Sequence, residues 1–243
     1  MGLFDFLNSD AKEARAVGRW QKRLMNKYMQ TAERKRAIEA LTQIGTEEAI
    51  VALLGRYKYR TEATIVDEDE KQEVFEAVVA LGENAIPALN TYIANETAIY
   101  FPCKALRRVV GDEVAAATIL QSLSAVPDSF GANADRRQQL VDNLRDFSDN
   151  PVVYQTLLGL MEDEDEEIVI RAIDGLSARS GDRAVVEAIV PRILQEETSH
   201  RVRTLVMELM IEKGWNVKRY KKALTGIIPA HYFIDDTGVV QRR

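Results

Sequence analysis

Few residues in this chain can do catalytic or metal chemistry. His200 and His231 are the two histidines of 243 residues, and Cys103 is the one cysteine. Neither histidine has a second ligand at metal-binding spacing, and a single cysteine builds neither an internal disulfide nor a multi-cysteine zinc site. Serine–histidine catalysis would have to use one of those two histidines, and the chain has no Gly-x-Ser-x-Gly elbow. Phosphate-cradling glycine loops of the Walker or Gly-x-Gly-x-x-Gly kind are absent as well. The acidic runs DEDE (67–70) and EDEDEE (162–167) attract cations but lack the turn glycine and ligand spacing of a calcium loop. Cys103 stands near Lys104, Arg107 and Arg108, which would lower its pKa on a surface, but a small thiol among apolar neighbours is expected inside. The expectation is a protein with no catalytic residues, no cofactor and no metal.

The remaining conspicuous side chains suit recognition. Arginine, tyrosine and tryptophan dominate the energetics of protein interfaces. Arg56, Tyr57, Tyr59 and Arg60 cluster at the entry to a long polar stretch, and Trp215, Arg219 and Tyr220 lie near the C-terminus. These seven are the candidate partner-binding residues. Trp215 directly follows Gly214, so it can also staple the end of a helix.

The elements that position them come from a repeat. Amphipathic runs end in an apolar residue plus glycine, take a polar cap, and start a second apolar run. The markers are Gly45, Gly82, Gly111, Ser148, Gly181 and Gly214, spaced by 37, 29, 37, 33 and 33 residues. In the first copy Ala37, Ile38, Leu41 and Ile44 follow the helical period. The marker glycines fit a C′ position that needs positive φ, with Thr46, Asp112 and Asp182 placed to cap the next helix. Asp149 with Pro151 does the same in the glycine-less copy, and Pro87 also sits early in a helix. Pro191 predicts a kink or a late helix start. One helix pair cannot bury both of its apolar faces; stacked pairs can. The fold class expected is therefore all-α: a right-handed alpha-solenoid of about six helix pairs.

The copies resemble HEAT-type repeats over about residues 31–227, the fifth most closely, with an acidic lead-in and IVIRAIDGL. The resemblance implies that Arg171, and Arg203 in HRVRTLVMEL, tie neighbouring repeats through an acidic partner. The C-terminal stretch from Glu212 is similar to the ends of bacterial HEAT-repeat proteins without settled chemistry, which implies a bacterial cytoplasmic protein. Enzymes on this scaffold leave other marks. The His-Glu pairs of deoxyhypusine hydroxylases are missing, the middle is too acidic for an alkylpurine DNA glycosylase, and the likeness to phycobilin lyases is at repeat level only.

Residues 1–30 are expected to form an N-terminal capping helix from Ser9 or Asp10 to about Gln30, after the apolar MGLFDFL. Its basic residues beside Trp20 leave a peripheral membrane attachment as the alternative. Residues 55–73 read as a long inter-repeat loop. Residues 228–243 read as a C-terminal hairpin or arm, with Asp236, Thr237 and Gly238 at its turn. No apolar run is long enough for a transmembrane helix. The net charge of −6 argues against a general nucleic-acid binder. Charge is also segregated: +5 over 1–60, −8 over 61–100, −8 over 101–197 and +5 over 198–243. Such polarity steers charged partners and can drive self-association. The function expected is a non-enzymatic scaffold or adaptor for a protein or peptide partner.

Overall fold

The computed structural model describes residues 3–127, 131–179 and 183–243, with only the backbone of residues 3–10 and 132. Gly181, Asp182 as a cap, and the side chains of MGLFDFL and of the expected caps Ser9 and Asp10 lie outside the described residues. The chain divides after Pro127 into two compact units. Among the described residues no helix is long and apolar enough to cross a membrane.

The first unit contains α1 (Leu3–Leu24), α2 (Thr31–Ile44), α3 (Glu47–Leu54), α4 (Thr64–Ala80), α5 (Ile86–Asn95), α6 (Tyr100–Val110) and α7 (Asp112–Ser124). α2 packs on α4 and α4 on α6, while α3 packs on α5 and α5 on α7, giving two layers of alternate helices. The layers close on an apolar seam in which Ala37, Ile38, Leu41, Leu53, Val78, Leu89 and Ile93 are at most 2% exposed. Each large apolar side chain so buried contributes about 1.5–3 kcal/mol before entropy is counted. α1 covers the start of both layers, burying Val17 and Leu24 against α2 and α3. It starts earlier and stops sooner than the expected cap, at Leu24 rather than Gln30.

The second unit contains α8 (Ala132–Leu144), α9 (Pro151–Leu160), α10 (Glu166–Ser177), α11 (Arg183–Ile193), α12 (His200–Glu212), α13 (Lys221–Thr225), β1 (Tyr232–Ile234) and β2 (Val240–Arg242). α10 packs on α8 and α12, with α9 and α11 against it. The two strands pair antiparallel with Phe233 opposite Gln241, and β2 lies on α12. This is the hairpin expected from the sequence, folded back on the last long helix.

The turn chemistry follows the repeat with exceptions. Gly45 closes α2 at φ +65°, and Thr46 accepts from the Ala49 N–H to start α3. Gly214 closes α12 at φ +61°; its N–H reaches Ile211 O and the Trp215 N–H reaches Met210 O, the paired bonds of a Schellman cap. α9 is capped by Asn150 rather than Asp149, whose carboxylate pairs with Arg179. Asp112 is the first residue of α7, not its cap, and its carboxylate takes a two-pronged bond from Arg107 at 2.7 and 2.8 Å. Pro191 does not delay α11; it lies inside the helix, which ends two residues later.

Arg171 ties α10 to α8 through Asp142 at 3.1 Å and also holds Glu167 on its own helix. Glu167 in turn meets Arg201 of α12, so the charges form a ladder across three helices. Arg203 departs from its expected role. It donates to the carbonyls of Ile193, Gln195 and Glu196 at and just after the end of α11, and among the described residues no acidic side chain is its partner.

Candidate functional site

The two groups of candidate residues have different fates. The first group turns inward. α3 runs into a 3-10 turn, Gly55–Lys58, and α4 begins at Thr64, so the expected long loop over 55–73 shrinks to a few residues. Arg56 is fully buried. Its Nε donates to Glu70 at 2.8 Å and its Nη2 to Asp67 at 2.8 Å. Glu70 also takes Arg34 of α2, at 2.9 and 3.0 Å, and Asp67 takes Lys71 at 2.6 Å. Burial works against the Asp67 carboxylate, but hydrogen bonds from Lys71, Arg56 and the Thr61 N–H outweigh it and hold its pKa well below the ordinary value. These bonds join α2, the turn after α3, and α4.

Tyr57 is buried too, its ring stacked on Phe101 at 5.0 Å between centroids and its hydroxyl donating to Lys71 O. Tyr59 is half-buried; its hydroxyl donates to the Leu24 carbonyl at the end of α1, and its ring faces the Arg56 guanidinium at 4.4 Å. Of these four, Arg60 alone is exposed. Arg56 and Tyr57 are therefore not surface residues, and the reason is physical. A guanidinium can be enclosed here because two carboxylates on the facing helix offset the cost of taking its charge out of water.

The second group converges. Trp215, Arg219 and Tyr220 line one groove of about 710 Å³ in the second unit, between α11 and the segment that follows α12. The Schellman cap at Gly214 turns the chain and brings Trp215 against the protein, 4% exposed. The next residues are pinned by the hairpin. Asn216 bridges Val239, and the Val217 N–H donates to Gly238 O at 2.8 Å. The 3-10 turn Lys218–Tyr220 then places Arg219 over the Tyr220 ring at 5.0 Å.

The opposite wall comes from α11, whose Arg183, Val186 and Glu187 share one face by helical spacing. Glu187 accepts from Arg183 at 2.7 Å and from Arg219 at 2.5 Å. The Arg183 bond, with the field of both arginines, lowers its pKa despite some desolvation. Lys213 and Lys218 complete a cationic rim. The Trp215 indole N–H is buried and has no acceptor among the described residues.

The sequence reading missed Arg183, Val186, Glu187, Lys213 and Lys218. Arg183 and Glu187 stand four apart, a recognisable helix pair, but they fall in a segment whose summed charge is acidic. Among the described residues no three acids, histidines or cysteines come together as a metal site. Cys103 is buried, and desolvation pushes its thiol up to about 12. Comparison with protein-family models, curated proteins and solved structures gives no match.

Proposed function

We propose that the protein is a non-enzymatic adaptor, built from stacked HEAT-type helix pairs as an alpha-solenoid, that holds a protein partner in the groove over Trp215. The observation that carries this reading is the convergence of Trp215, Arg219 and Tyr220 with α11 on one cavity that has an apolar floor and a charged rim. Aromatic and arginine anchors in a concave, partly desolvated site are the usual source of binding energy between proteins. The alternation of helix layers within the first unit, and the row α8–α10–α12 in the second, support the stacked-pair reading, because each pair buries the face its neighbour leaves open.

The test is affinity capture with the full chain beside two variants. Arg183→Glu with Arg219→Glu reverses the groove rim; Arg60→Glu alters an exposed arginine that is not among the groove's lining residues. A stoichiometric partner lost only from the groove variant supports the reading. A partner retained by the groove variant overturns it.

A further inference from the structure

The groove has a chemical bias that narrows its occupant. Among the described residues four cations line it, Arg183, Lys213, Lys218 and Arg219, against one carboxylate, that of Glu187. Lys213 also meets Glu212 at 3.2 Å, so even with that acid counted the cations lead by two. Between them lie the Trp215 indole and Val186. This basic patch belongs to a chain of net charge −6, so the positive potential is local and does not extend to a long polyanion. Glu187 already takes one bond from each of Arg183 and Arg219, so the remaining positive charge is spread over separate points of the rim, which suits carboxylates spaced along a peptide.

We infer that the groove takes an acidic peptide segment of a protein partner, with one apolar side chain seated on Trp215 and Val186 and flanking Asp or Glu carboxylates paired with Arg219, Lys218 and Arg183. This rests on the docking reading above. The Trp215 indole N–H is buried and has no acceptor among the described residues, so this wall of the groove carries a polar group left unsatisfied. The carboxylate–guanidinium pairs give orientation and rate, and the apolar anchor gives residence time.

The chain's tryptophans are Trp20 and Trp215, so Trp20→Phe in the full-length protein leaves Trp215 as the reporter of its own groove. The probe is a short synthetic peptide with Glu and Asp flanking a Leu-Phe pair. Matched peptides carry Gln and Asn for the acids, or Ala for the Leu-Phe pair, and inorganic triphosphate serves as the plain anion. The acidic peptide is expected to shift Trp215 emission saturably, and both altered peptides and Lys218→Glu are expected to weaken it about tenfold or more, one decade being about 1.4 kcal/mol. Because Lys218 is exposed, its reversal leaves the melting temperature in place as the folding control.

Equal binding of the Gln/Asn peptide, or full displacement by triphosphate at equal concentration, overturns the acidic-peptide inference. If no peptide binds while a captured partner is still lost from the groove variant, the occupant has other chemistry and the docking reading stands. If capture ignores the groove variant, the docking reading itself fails.

Discussion

Arg219, on the 3-10 turn after α12, donates to the Glu187 carboxylate of α11 across 2.5 Å. Two elements 32 residues apart in sequence are thereby clasped at the rim of one groove. The clasp both shapes the groove and occupies part of its positive charge. Glu187→Gln keeps the side-chain length and frees that charge. Affinity for the acidic peptide should rise roughly two- to fivefold, the worth of one exposed charge interaction. Because the arginines depress the Glu187 pKa, the wild-type groove keeps its charge from about pH 5 upward, and binding over that range should show no carboxylate step. Titrations at several pH values check both statements.

Gly238 is the hairpin residue that the groove depends on. Its φ is +93°, and a Cβ there would fall 2.5 Å from Lys218 Cβ and 2.9 Å from Lys218 Cα. Gly238→Ala must move the segment that carries Lys218 and Arg219. It should cost at least about 1–2 kcal/mol from the backbone conformation alone. Peptide affinity should drop more than the lowered melting temperature accounts for. Calorimetric melting beside the Trp215 titration separates the two effects.

Arg56 is a stability residue in this account. Arg56→Met removes the guanidinium shared by Asp67 and Glu70 and leaves both carboxylates facing fewer cations. Breaking a buried pair from one side costs about 3–5 kcal/mol. Urea unfolding should show that loss, and the Trp215 groove, in the other unit, should bind its peptide unchanged wherever the protein remains folded.

Asp67 sets an acid limit on the first unit. Its folded pKa lies below the unfolded carboxylate value of about 3.9, so its contribution is present in full above that range. It is lost as pH falls through the lower, folded value. Asp67→Asn should therefore lower the urea midpoint clearly at neutral pH, and the gap from wild type should narrow steadily on acidification. A gap that stays constant would mean that the carboxylate's charge is irrelevant to the cluster.

The sequence made the punctuation legible. Gly45 and Gly214 are left-handed helix ends, as their place after an apolar residue suggests, and Gly238 turns the expected hairpin. Residues 55–73 read as a loop, whereas α4 already begins at Thr64. On α4, Asp67, Glu70, Lys71, Val74, Phe75 and Val78 follow the helical period and form one buried stripe. The period was there to be read; the charged types concealed it, because acids are rarely enclosed without cations, and those cations, Arg34 and Arg56, come from other elements. The groove was half legible. Trp215, Arg219 and Tyr220 are conspicuous by type, whereas the α11 wall depends on tertiary packing that a local pattern does not encode.

The most direct test is amide hydrogen exchange of the full-length protein with and without the acidic peptide. The account predicts slowed exchange over α11 and over residues 213–220, with residues 55–73 unchanged. Protection confined to residues 55–73, or no protection of either groove wall at saturating peptide, would contradict it.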